Sequence, residues 1–277
     1  YREIVQVLAR HGFGNLIDQL ELVPYLSLPR RLFRKATAGP PLTAPERMRL
    51  AIEELGPTFI KLGQILSTRP DLIPPPYIAQ LVRLQDTVPP APWELVREQL
   101  EQELDGSLDQ CFVSFEVEPM AAASLGQVHR AILPGGEEVV VKVQRPAIEE
   151  TIEVDLEILF DLAHLIQERT ALGEIYDLVE IVEEFAFTLR NEMDYRREGH
   201  NADRFRRNFA NEPALYIPKV YWDYTTQRVL TLERISGIKV DDIAALDMAG
   251  VDRHQVAQNA ARIIIKDCLL YTSPSPR

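Results

Sequence analysis

A single lysine placed at the end of a valine run, one hairpin after a loop of small side chains, is the combination in this chain best suited to chemistry. From Pro119 to Lys142 the sequence reads PMAAASLGQVHRAILPGGEEVVVK. The small residues Ala121, Ala122, Ala123, Ser124 and Gly126 leave room for a ligand to approach the backbone, and Lys142 supplies a fixed positive charge. Together they form a layout that can hold the phosphates of a nucleotide. The same residues also suit a solvent-exposed hairpin, and on their own they do not choose between the two.

These residues need a sheet to hold them. Cys111–Val117 reads as a first strand, Gln127–Leu133 as a second and Glu138–Gln144 as a third, with a turn at Pro134, Gly135 and Gly136. On the third strand Val139, Val141 and Val143 point to one face, and Val140 and Lys142 to the other. Helices are predicted at Pro45–Leu55, from Pro57 until the stop at Arg69–Pro76, at Trp93–Leu104, from Ile148 to about Ile166, and as one long helix from Leu178 to Asn208. A strand pair, Val220–Tyr224 with Arg228–Glu233, then leads through Ser236 and Gly237 to helices at Asp241–Met248 and from His254 to about Leu270.

On the helix after Pro57, Phe59, Leu62 and Leu66 share an apolar face, while Lys61, Gln64 and Thr68 share the polar one. Glu192, Asp194 and Glu198 form an acidic cluster further on; one of them can reach Lys142 if its helix crosses the sheet, and local pairing with Arg190, Arg196 and Arg197 is the alternative.

Composition narrows the function classes. The 277 residues are 46% hydrophobic and 26% charged, enough for two domains or one bilobal domain. A formal charge of −12 argues against nucleic acid as the main partner. Cys111 and Cys268 stand far apart and have no metal-ligand spacing. No stretch is apolar for long enough to span a membrane, and the N-terminus lacks the apolar core of a signal peptide, so a cytoplasmic or peripheral-membrane location is expected. Arg30, Arg31, Arg34 and Lys35 form a basic run that suits either a solvated helix face or anionic lipid.

Taken together, these strings resemble the UbiB family of atypical protein-kinase-like proteins, known also for its aarF domain, over nearly all of the chain up to about residue 267. Within FIKLGQILSTRPDLIP, the family's KxGQ motif matches Lys61, Gly63 and Gln64. Its alanine-rich loop matches Ala121, Ala122, Ala123 and Ser124, its VAVK-type strand lysine matches Lys142, and its ExD motif matches Glu192 and Asp194. Any one of these would be weak evidence, but four in the right order are specific.

The resemblance implies an α+β protein-kinase-like fold that uses ATP and Mg²⁺. Lys142 would hold the α and β phosphates and be oriented by Glu198, while backbone groups of Glu233 and Ile235, after a gatekeeper at Leu232, would receive adenine. The KxGQ helix would lie over the site, with Lys61 and Gln64 facing Glu192 and Asp194, and would bar a protein substrate. The implied activity is that of an ATPase or small-molecule kinase in ubiquinone and related isoprenoid-lipid metabolism. An isoprenoid lipid, a membrane surface or lipid-biosynthesis proteins would then be partners. The competing reading is a non-catalytic module that binds nucleotide, lipid or protein.

The departures from the family matter equally. A catalytic loop with Asp and Asn and a metal-binding Asp-Phe-Gly should follow the helix ending near Leu270, yet the chain contains no His-x-Asp and no Asp-Phe-Gly. The expected organisation is therefore a helical extension over 1–105, a small lobe and hinge over 106–237, the start of a truncated large lobe over 238–270 and a non-native tail, YTSPSPR, over 271–277. With a start at Tyr1 inside an apolar-periodic segment, the sequence reads as a fragment that holds no catalytic or metal-binding residue and is inactive as given.

Overall fold

Alternating valines build the centre of the sheet. In the computed structural model, which describes residues 2–20, 42–84 and 89–272, β4 spans Glu138–Gln144, and Val139, Val141 and Val143 are wholly buried. They pack with Val96 and Leu100 of α6 (Trp93–Glu103) and with Leu108 of α7 (Leu108–Cys111). Val140 and Lys142, on the other face, are half-buried. The sheet is antiparallel in the order β1 (Ser114–Phe115), β3 (Gly126–Ile132), β4, β5 (Val229–Glu233), and β2 (Ala121–Ala122) also pairs with β3. Lys142 lies opposite Val128 on one side and Leu230 on the other. The β3–β4 turn closes through Gly136, whose φ of 90° favours glycine.

A second, helical core stands beside the sheet. α8 (Ile148–Arg169) and α9 (Leu178–Glu192) bury Ile152, Leu156, Phe185 and Leu189 against Ile52 of α3 (Ala44–Leu55) and Phe59 and Ile60 of α4 (Pro57–Leu66). α4 is therefore fixed to the long helices through its apolar side. Leu62 and Leu66 are only partly buried there, and the Thr58 hydroxyl donates to Asp155 at 2.5 Å. Gly63 packs so closely that an added Cβ would overlap Leu84 and touch Ile52. α1 (Arg2–Arg10) and α2 (Gly14–Gln19) cover the far end of α8.

The α+β class is as expected, but several boundaries differ. The helix expected over 178–208 is two helices, α9 and α10 (Tyr195–Asn208), because the Asp194 carboxylate accepts the Arg196 N–H as an N-cap and restarts the helix. The strand expected at Cys111–Val117 shrinks to two residues. A capping box between Ser107 and Gln110 starts α7, which consumes Cys111. The triple proline does not only end a helix: Pro75 and Pro76 form the first turn of α5 (Pro75–Leu81), where a missing N–H costs nothing. Val220 makes one bridge to Leu232, flanked by hydrogen bonds from Tyr221 N–H to the Thr231 carbonyl and from Glu233 N–H to the Lys219 carbonyl, before a 3₁₀ turn at Trp222–Tyr224, so the expected strand pair is a single strand with one short bridge.

α11 is Ile243–Met248, capped by Asp242, and α12 is Arg253–Thr272. α12 thus takes Tyr271 and Thr272 from the expected tail. Residues 273–277 and the basic run at Arg30–Lys35 lie outside the described residues. Among those described, no helix is long and apolar enough to cross a membrane.

Candidate functional site

The open face of the sheet and the break between α9 and α10 enclose a cavity of about 620 Å³. On its floor, Lys142 Nζ donates to Glu198 Oε2 at 2.7 Å and lies 4.5 Å from the centre of the Tyr195 ring. The two charged side chains are 35% and 49% exposed. A pair this wet contributes at most about 1 kcal/mol to stability, so what it provides is orientation.

The small-residue loop forms one wall. Ala121 and Ala122 pair with Val128 and Gln127, the Ala123 N–H donates to the Gly126 carbonyl, and Arg145 Nε donates to the Ala123 carbonyl at 3.0 Å. Ser124 is buried beneath this turn and is absent from the cavity lining. Gly126 is needed for a close approach: a Cβ there would stand 2.5 Å from the Tyr195 hydroxyl and 2.6 Å from the Val143 carbonyl.

The opposite edge carries the KxGQ and ExD residues. Lys61 Nζ is 3.0 Å from Glu192 Oε2, and both line the cavity. Asp194 lines it as well, but its carboxylate is held by Arg196 through Nε at 2.8 Å and Nη2 at 2.9 Å. That Arg196 contact keeps the Asp194 carboxyl below the usual carboxylate range. Lys61 therefore meets the Glu of ExD, and Gln64, half-buried on α4, is outside the lining.

Glu233 and Ile235 are not brought to this cavity. Glu233 ends β5 and lines a separate cavity of about 560 Å³ with Tyr216 and Phe209, while Ile235 is exposed beyond the strand. The Glu233 N–H donates to the Lys219 carbonyl at 2.9 Å. Its carboxylate accepts from the Tyr216 hydroxyl at 2.6 Å and the Lys219 N–H at 3.1 Å, which lower its proton affinity.

Gln144 is a positioning residue that pattern reading passed over. Two residues beyond Lys142 and 1% exposed, it donates through Nε2 to the Met193 carbonyl and, at 3.5 Å, to the Gln227 carbonyl. Tyr195 N–H also donates to Gln227 O, so strand β4, the helix break and the segment before β5 are tied at one point. The available signal was an amide closing the valine-rich strand that carries Lys142. Asn191 and Asn201 also line the cavity and were not singled out, and Arg197, expected only as a local partner of the acidic cluster, lines it as well.

The charges of Lys142 and Lys61 and the small side chains of the loop within one cavity suit a phosphorylated ligand. They do not suit a metal ion. Among the described residues no cluster of three His, Cys, Asp or Glu is arranged to hold one, and Glu192 and Asp194 are each occupied by a cation.

The model of the ABC1 atypical kinase-like domain matches residues 83–272. A protein of Marinobacter nauticus named as a probable protein kinase UbiB is 42% identical over 99% of this chain and 51% of its own length. An uncharacterised Synechocystis protein is 48% identical over 78% of this chain and 39% of its own. Among solved structures, Rv3197 of Mycobacterium tuberculosis, determined in complex with erythromycin, is 31% identical with a TM-score of 0.50, covering 70% of this chain and 49% of that one. The fold is therefore kinase-like, and the chain spans about half the length of the curated relatives it matches.

Proposed function

Because this chain belongs to the ABC1 atypical kinase-like family, whose UbiB-like members are linked to ubiquinone biosynthesis, we propose that the cavity around Lys142 is a nucleotide site. One observation carries the reading: the Lys142–Glu198 pair, set over Tyr195, faces the backbone of the alanine loop within one cavity. Lys142 would bind phosphate oxygens, the small side chains of Ala121, Ala122 and Ala123 would leave room for them to approach, and Glu198 would hold the lysine in register. Adenine would extend past β5 toward the backbone of Glu233 and Ile235. The Lys61–Glu192 pair would close the remaining edge and leave little room for a protein substrate.

The whole protein would then be an ATPase or small-molecule kinase acting on ubiquinone precursors or related isoprenoid lipids. The part in hand would comprise the helical extension (1–105), the small lobe and hinge (106–237) and the start of the large lobe (238–270). With no His-x-Asp and no Asp-Phe-Gly in the sequence and, among the described residues, no cluster of carboxylates placed for Mg²⁺, these residues would contribute binding and orientation. The same observation favours, as a second reading, a module that binds nucleotide without turning it over.

Calorimetric titration with ATP, ADP and adenosine tests the site. ATP should bind the natural chain and bind Lys142→Met at least tenfold more weakly, and equal binding by both would remove Lys142 from the site. Hydrolysis compared with that of a version extended through the catalytic loop tests inactivity. Equal magnesium-dependent turnover by the two would place the active site elsewhere.

A further inference from the structure

Among the described residues, the charges lining the cavity do not all form ion pairs. Lys61 is taken by Glu192 and Lys142 by Glu198. Asp194, the remaining carboxylate of the lining, is clasped by both Nε and Nη2 of Arg196. Arg197 also lines the cavity, is exposed, and has no ion pair among the described residues. Asn201 follows it by one helical turn, so a guanidinium and an amide at i and i+4 of α10 share one face beside the cavity.

The geometry points to Arg197, supported by Asn201, as a second phosphate-binding group of the nucleotide site, taking a phosphate oxygen that Lys142 does not hold. This deepens the nucleotide reading and rests on it. Lys142 is a point charge already shared with Glu198, whereas a polyphosphate presents several anionic oxygens. A guanidinium offers a planar fork that matches two of them, and Arg197, whose charge also favours the ionised Asp194, has no ion pair among the described residues to break first. Arg196 is its neighbour in sequence, yet its role is the structural one of holding the N-cap.

The test is calorimetric titration of the natural chain, Arg197→Gln, Arg197→Lys and Lys142→Met with ATP, ADP and adenosine, with urea unfolding of each variant. Arg197→Gln should lose about tenfold in ATP and ADP affinity, a loss equivalent to about 1.4 kcal/mol, while adenosine binding and the unfolding midpoint stay unchanged. Arg197→Lys, which keeps the charge without the fork, should fall between. ATP binding that needs Lys142 but is unchanged in Arg197→Gln overturns this proposal and leaves the nucleotide site standing. Equal loss for adenosine and ATP also overturns it, since phosphate would then not be what Arg197 reads. Failure of the natural chain to bind any of the three removes the site itself.

Discussion

Replacing Gln144 with methionine keeps the side chain's length and most of its volume while deleting the amide that ties β4 to the helix break. The Gln227 carbonyl keeps the Tyr195 N–H at 2.9 Å, so the principal loss falls on the Met193 carbonyl, within a residue only 6% exposed. Leaving one buried acceptor without its donor costs about 1–3 kcal/mol. Because the methionine has no amide to desolvate, part of that is recovered, and the net destabilisation should be about 1–2 kcal/mol. Urea unfolding should show the midpoint falling by about 0.5 M with an unchanged slope. ATP affinity should fall too, since the same tie sets where Glu198 meets Lys142. Gln144→Glu is the sharper control: it removes the donors and places a negative charge against two carbonyl oxygens, so it should be worse than methionine. A Gln144→Met midpoint equal to that of the natural chain, or a glutamate no worse than methionine, would show that the amide does not hold the break.

Three further outcomes follow from the geometry. Burial lowers the proton affinity of His129, whose ring bonds the Glu116 carbonyl and the Gln127 amide at 2.8 Å each, and so favours the neutral ring. Its folded pKa lies below the unfolded value of about 6.5, so its contribution is complete above that pH and is lost as pH falls below it; His129→Phe should flatten the acid side of a stability profile, and an unchanged slope refutes this. Gly63→Ala should cost about 1–3 kcal/mol in urea unfolding, because its methyl overlaps Leu84 in a packed core, and no loss would mean that Leu84 moves aside freely. In a double-mutant cycle of Lys61→Met with Glu192→Gln, the coupling should stay below about 1 kcal/mol, the two side chains being 19% and 40% exposed; a larger value would show a pair far drier than its geometry.

The sequence made β4 legible because alternating valines admit one strand register, and Lys142 falls on the open face as a consequence. Lys61 was legible as the polar side of α4, and its neighbour Glu192 through the acidic cluster. The break at Met193–Asp194 was not, because Phe185, Leu189, Tyr195 and Ala202 continue a helical apolar pattern through it, and only the capping role of Asp194 marks the restart. Ser107 with Gln110, and Thr43 with Glu46, are capping boxes written in the sequence, yet both went unused, and Cys111, the last residue of α7, was read as the start of the strand-like CFVSFEV. Gln144 and Arg197 belong to a different class. One matters through a carbonyl 49 residues away and the other through what its neighbours leave unpaired, and neither shows as a local pattern.

The two carboxylates that hold the cavity's paired lysines are placed differently with respect to the helix dipoles. Glu192 is the last residue of α9, where unpaired carbonyls gather, and Glu198 is in the first turn of α10, where unpaired N–H groups do. A negative charge near a helix N-terminus gains about 0.3–1 kcal/mol, and near a C-terminus it is disfavoured by a similar amount. Glu198 is thus welcome where it stands even without Lys142, whereas Glu192 depends on Lys61 for relief. If the cavity takes an anion as proposed, Lys142 would be shared with it at lower cost than Lys61, whose partner Glu192 needs it more.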